Sequence, residues 1–129
     1  MSDFVEVKTA ELTGAALDWA VARATGADEL KITDSGSVSC IYEMSCGSGC
    51  WTGHYEPSTD WGYGGLLVEK HRVDLIWERE GLIAAYLSDE DGYPQSTDIY
   101  GPTHLIAACR AIVAHKLGDT VSVPKEFLS

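Results

Sequence analysis

The residues best equipped for chemistry stand between positions 46 and 65. Cys46, Cys50 and His54 recur every four residues, and Cys40 or His71 would complete a set of four donors of the kind zinc accepts. A closed structural zinc site, however, is usually written as two C-x2-C knuckles, and this chain has one C-x3-C and no second pair. No metal or other cofactor is therefore expected, and Gly47-Ser48-Gly49 reads as a tight turn between two reduced thiols. A Cys50–His54 nucleophile pair would need a positive setting to depress the thiol pKa, and no Lys or Arg occurs between Lys31 and Lys70. Asp60 with His54 offers acid–base chemistry without fixing a substrate. The segment from Tyr55 to Gly65 is richer: aromatic rings supply flat apolar walls, Ser58, Thr59 and Asp60 supply directed hydrogen bonds, and Gly64 and Gly65 let a backbone approach closely. Those ingredients describe a recognition loop, and Ser58, Thr59, Asp60, Trp61, Gly64 and Gly65 are its expected contacts. A well-ordered loop in which the same polar residues cap a helical turn and Trp61 seals the core accounts for them as well.

The elements that must position this loop are legible on either side. Phe4 to Lys8 alternates apolar and polar residues, as a half-buried strand does. Thr13, a run of helix formers from Gly14 to Ala24 and then Gly26 give an N-cap, a helix and a stop. Leu17, Ala20, Val21 and Ala24 form one stripe of that helix, while Trp19 lies on the far side between Ala15 and Ala22. Trp19 is therefore either buried by a second layer or turned toward a pocket or a partner. Two β-rich runs, 30–33 and 38–42, flank a Gly-containing turn and predict a hairpin. Positions 45–65 read as irregular, and 66–71 as one or two helical turns. A second hairpin is expected from 73–78 and 82–87 around Glu80-Gly81, although the second run is apolar enough to be helical. Thr103 opens a helix to about Leu117, with Leu105, Ile106, Cys109, Ile112 and Val113 as its core stripe and Ala107, Ala111 and Ala114 on the other side. The tail from Val121 reads as extended. The expectation is one α+β domain over 1–129, with a small antiparallel sheet of four to six strands and two main helices packed against it.

Charge narrows the partners. Nine basic against 20 acidic residues give a net charge of -11, which opposes binding to duplex nucleic acid and to anionic lipid. No apolar stretch reaches the roughly 20 residues that span a bilayer, and the start Met1-Ser2-Asp3 lacks the basic opening of a secretory signal. Residence in the cytoplasm of the cell that makes it is expected. There is no G-x-G-x-x-G, P-loop, G-x-S-x-G or H-E-x-x-H.

Three blocks carry a family resemblance: residues 12–22, Leu-Thr-Gly-Ala-Ala-Leu-Asp-Trp-Ala-Val-Ala; Pro57 to Trp61 with Gly64-Gly65; and Gly101-Pro102-Thr103 followed by Leu105 to Arg110 and Lys116 to Asp119. In this order and spacing the chain resembles the phage NinX-like family, from about residue 6 to 124; Met44 to Gly53 departs from its pattern. The resemblance implies a phage or prophage origin and no established activity. The function expected is that of an accessory protein that binds a small molecule or a host or phage protein, or a second copy of itself, through Trp19 and the 55–65 loop. The alternatives are a small enzyme using the same loop and an acidic protein that sequesters a host factor.

Overall fold

A computed structural model describes residues 3–44, 47–95 and 98–128. In chain order the main elements are β1 (Phe4–Lys8), α1 (Gly14–Ala24), β2 (Asp28–Ile32), β3 (Val38–Glu43), β4 (Gly49–Thr52), α2 (Trp61–Lys70), β5 (Val73–Arg79), β6 (Leu82–Leu87), β7 (Ile99–Gly101), α3 (His104–Leu117) and β8 (Thr120–Pro124). The class is α+β, as expected, but the single sheet and two helices are not what forms. Among the described residues the eight strands make three antiparallel sheets, β1-β8, β2-β3-β4 and β5-β6-β7, and α2 is a third helix.

The extra elements have local causes. β4 and β7 are short strands completed by their partners, Cys40 opposite Thr52 in one sheet and Ile83 opposite Gly101 in the other. The second run of the 73–87 hairpin is a strand. Ile83 and Ala85 on one face and Ala84 on the other are all buried, which is why the run lacks alternation. The two chain ends meet in β1-β8, with Val5 opposite Val123 and Val7 opposite Val121.

The core sits around α3. Ala107, Ala108, Cys109, Ala111, Ile112 and Val113 are buried, so both the aliphatic stripe and the alanine side are covered. α1 lies on one side, the β5-β6-β7 sheet on another, and α2 and β8 on the remainder. Gly101 shows how close the approach is: a Cβ there would stand 2.6 Å from the backbone nitrogen of Ala107. Arg110 is buried in the same helix, and its Nε and Nη1 donate to the carbonyls of Leu12 at 2.9 Å and Tyr100 at 2.8 Å. One charged side chain thereby satisfies two carbonyls from segments far apart in the sequence.

α1 is a buried helix, with Leu17, Ala20 and Val21 fully enclosed. Trp19 is also buried, 7% exposed, on the face away from that stripe. The Phe4 ring of β1 lies 5.8 Å from it and the Arg23 guanidinium 5.3 Å from its centroid. Its second layer is thus supplied by this chain. Trp19→Ala is expected to cost about 3–5 kcal/mol in chemical denaturation, whereas Asp60→Ala, at an exposed cap, is expected to cost about 1 kcal/mol. A Trp19→Ala protein as stable as its parent would contradict this packing.

Candidate functional site

The 55–65 segment is built around a turn and a cap. The amide of Asp60 donates to the carbonyl of Glu56 at 2.8 Å, and the Asp60 carboxylate accepts from the Gly62 amide at 2.7 Å. Asp60 is therefore the N-cap of α2, which starts at Trp61 and runs through three glycines that sequence propensity disfavours. Packing explains why the helix persists. At Gly64 a Cβ would meet Leu105 Cδ2 at 2.5 Å and the Pro57 carbonyl at 2.6 Å, so the missing side chain is what lets α2 lie against α3. At Gly65 a Cβ would meet the Trp61 indole at 4.0 Å, an ordinary contact.

Ser58 anchors the loop from below. Its amide donates to the Asp18 carboxylate of α1 at 2.8 Å, and both residues are buried. The Ser58 hydroxyl is buried without a hydrogen bond of good geometry, although it lies near enough to Asp18 to favour the ionised carboxyl. Burial outweighs both contacts with Ser58 and pushes the Asp18 pKa up to about 6.

Above this anchor the loop faces the first turn of α3. Thr103 caps that helix, its hydroxyl accepting from the Ile106 amide at 3.1 Å. Ser58, Thr59 and Trp61 on one side and Thr103, His104 and Leu105 on the other enclose a cleft of about 270 Å³. The His104 ring lies 6.4 Å from Trp61 and 5.9 Å from Trp77, so indole, imidazole and indole form a continuous row. Trp61 is 58% exposed and Trp77 62%. Trp77 belongs to the alternating Val73, Leu75, Trp77 face of β5, whose inner members lie toward the core. Beyond Trp77 the register with β6 shifts, an irregularity of the kind that turns an edge strand aside.

The structure thus brings Ser58, Thr59 and Trp61 together at one cleft, keeps Asp60 as the cap beneath Trp61, and uses Gly64 for helix packing. Trp19 is elsewhere, and α1 reaches the loop through Asp18. Two members of the aromatic row, Trp77 and His104, were not among the expected contacts. The signals were a Trp at the far end of an alternating strand and a ring directly after a helix cap. Cys46 lies outside the described residues, so the Cys46-Cys50-His54 set cannot be placed; Cys50 is a free thiol, and His54 is exposed. Among the described residues there is no group of three or more His, Cys, Asp or Glu positioned for a metal, and no hydrogen bond or ion pair joins His54 to Asp60. What the row can do chemically is stack: it offers flat faces with an imidazole between them and hydroxyls at the cleft edge.

The family model described as Bacteriophage P22, NinX matches residues 8–116. The chain belongs to this family. No curated protein matches the chain. The matched stretch of this chain contains the whole row, from Trp61 through Trp77 to His104, together with the Asp18–Ser58 anchor. No helix among the described residues is long and apolar enough to cross a membrane.

The anchor makes a pH signature. Asp18 has a folded pKa of about 6 against an ordinary 3.8, so between these values the native state keeps a proton that the unfolded chain has released. Stability should fall by up to about 3 kcal/mol as pH rises through that window and level off above it. Asp18→Asn, which keeps an oxygen for the Ser58 amide, should remove this fall. Denaturation of both proteins from pH 4 to pH 8 would show it, and parallel profiles for parent and variant would refute the assignment.

Proposed function

We propose that this phage protein acts by binding another protein chain, and that the contact surface is the aromatic row Trp61, His104 and Trp77 with the cleft beside it. The observation that carries the reading is that two tryptophans more than half exposed flank one imidazole, at the place where a loop and a helix start enclose a cleft. Large aromatic surface facing water is costly to maintain, and a contiguous patch of it commonly marks an interaction site. The cleft, at about 270 Å³, is below the roughly 300–1,000 Å³ of small-molecule pockets and suits one inserted side chain of a partner. Tryptophans beside such a pocket are the usual centre of a protein interface. The net charge of -11 favours encounter with a basic partner surface.

A photo-crosslinking residue placed at position 61, 77 or 51 and activated in phage-infected cells would test this. Trp51 is equally exposed, on the β2-β3-β4 sheet, and serves as the control. Positions 61 and 77 are expected to capture the same protein and position 51 not to; Trp61→Ala should then weaken binding of that purified partner by about thirtyfold, a loss of ~2 kcal/mol. Capture from all three positions alike, or from none, would overturn the proposal.

A further inference from the structure

A second concavity lies at the opposite end of α2, where its last residues meet the end of α1 and strand β3. It has a volume of about 410 Å³, within the range that holds a small molecule. One wall is aromatic. The rings of Tyr42 and Tyr55 are 5.4 Å apart, and Tyr63 stands edge-on behind them, 5.2 and 5.3 Å away, with its hydroxyl 2.8 Å from that of Thr52.

The electrostatics of this cavity lean negative, although Lys70 lines it and Lys116 acts on its His71. α1 ends at it through Thr25 and α2 through His71, so two helices point the negative ends of their dipoles at the same space. Asp28, Glu43 and Glu69 are in its lining, against a single ammonium, that of Lys70. Lys70 Nζ sits 2.9 Å from Glu43 Oε1, and both side chains are about half exposed, so the resident cation occupies one carboxylate at the rim. His71 is biased toward its neutral form. Burial, reinforced by Lys116, Lys70 and His115, lowers its pKa, and its buried Nε2 has no hydrogen-bond partner among the described residues. A neutral imidazole offers one acceptor nitrogen and one donor N–H.

We propose that this cavity binds a small organic cation, one protonated amine or guanidinium on a compact apolar body. The cation would lie against Tyr42, the partly exposed ring of the wall, and take hydrogen bonds to Glu43 and Glu69, while the apolar body fills the remaining space. In such a site Lys70 is a competitor that must yield Glu43 to the ligand. Lysine or arginine side chains of a partner carry the same chemistry as a free amine.

Three probes sharing one skeleton would test this by calorimetry: 2-phenylethylamine, 2-phenylethanol and phenylacetate. The amine should bind at least about tenfold more tightly than the alcohol, and phenylacetate should not bind. Glu43→Gln should weaken the amine about tenfold, and Lys70→Met should strengthen it by about threefold or more. Lys125→Met, which removes a charge near the chain end where Lys125 pairs with Asp3, should change nothing, and thermal unfolding of each variant would confirm its folding. A lysine tripeptide with blocked ends that binds more tightly than the free amine would assign the cavity to a partner's side chain, and the reverse order to a free metabolite. Equal binding of amine and alcohol, no binding of any probe at millimolar concentration, or equal effects of Lys70→Met and Lys125→Met would overturn the proposal. None of these outcomes bears on the aromatic row, which lies at the other end of α2.

Discussion

The burial of α3 on nearly every side is the constraint from which the rest of the structure follows. A helix enclosed by another helix, a sheet and a crossing strand can present bulk in only some directions, and Ala107, Ala108 and Ala111 are what allow α1 and β7 to come close. Arg110 is the exception that completes the arrangement. With Leu12 and Tyr100 each giving it a carbonyl, it fastens the segment before α1 and strand β7 to the same turn of α3. Among the described residues this guanidinium bonds carbonyls alone; burial lowers its pKa, and its carbonyl partners keep the cost of that burial down.

The candidate site inherits its geometry from this support. His104 is the first residue of α3, so its ring stands where the helix leaves the core. Trp61 is held at its distance because Gly64 lets α2 rest on Leu105, and Trp77 because β5 runs along α3 before its register shifts. The Asp18–Ser58 bond adds a tie from α1 to the loop beneath the cleft. The row is therefore made of exposed side chains while others bear the load, the division expected if exposed aromatics serve recognition.

Sequence patterns revealed α1 and α3 almost to the residue, because each is bounded by local signals: Thr13 and Gly26, Thr103 and Gly118. The β5-β6 hairpin was legible for the same reason, through Glu80-Gly81. What local pattern could not show are the elements that exist by virtue of distant partners. β4 needs β3, β7 needs β6, and the glycine-rich start of α2 needs Leu105 more than forty residues away. The loop at 58–61 stood out as a candidate site by composition. His104 and Trp77 were not, because their adjacency to it is set by how α3 crosses the β5-β6-β7 sheet, and Trp19 drew attention for a face that Phe4 covers.

The central claim is that α3 is the rigid support on which the exposed row is mounted. Native-state hydrogen exchange measures this directly, residue by residue. The amides from Cys109 to Val113 should exchange only through global unfolding, with protection matching the full denaturation free energy, while those of Trp61 and Gly62 at the start of α2 exchange through smaller openings. Amides in the middle of α3 that exchange by local opening, with the remainder of the molecule still folded, would contradict the account.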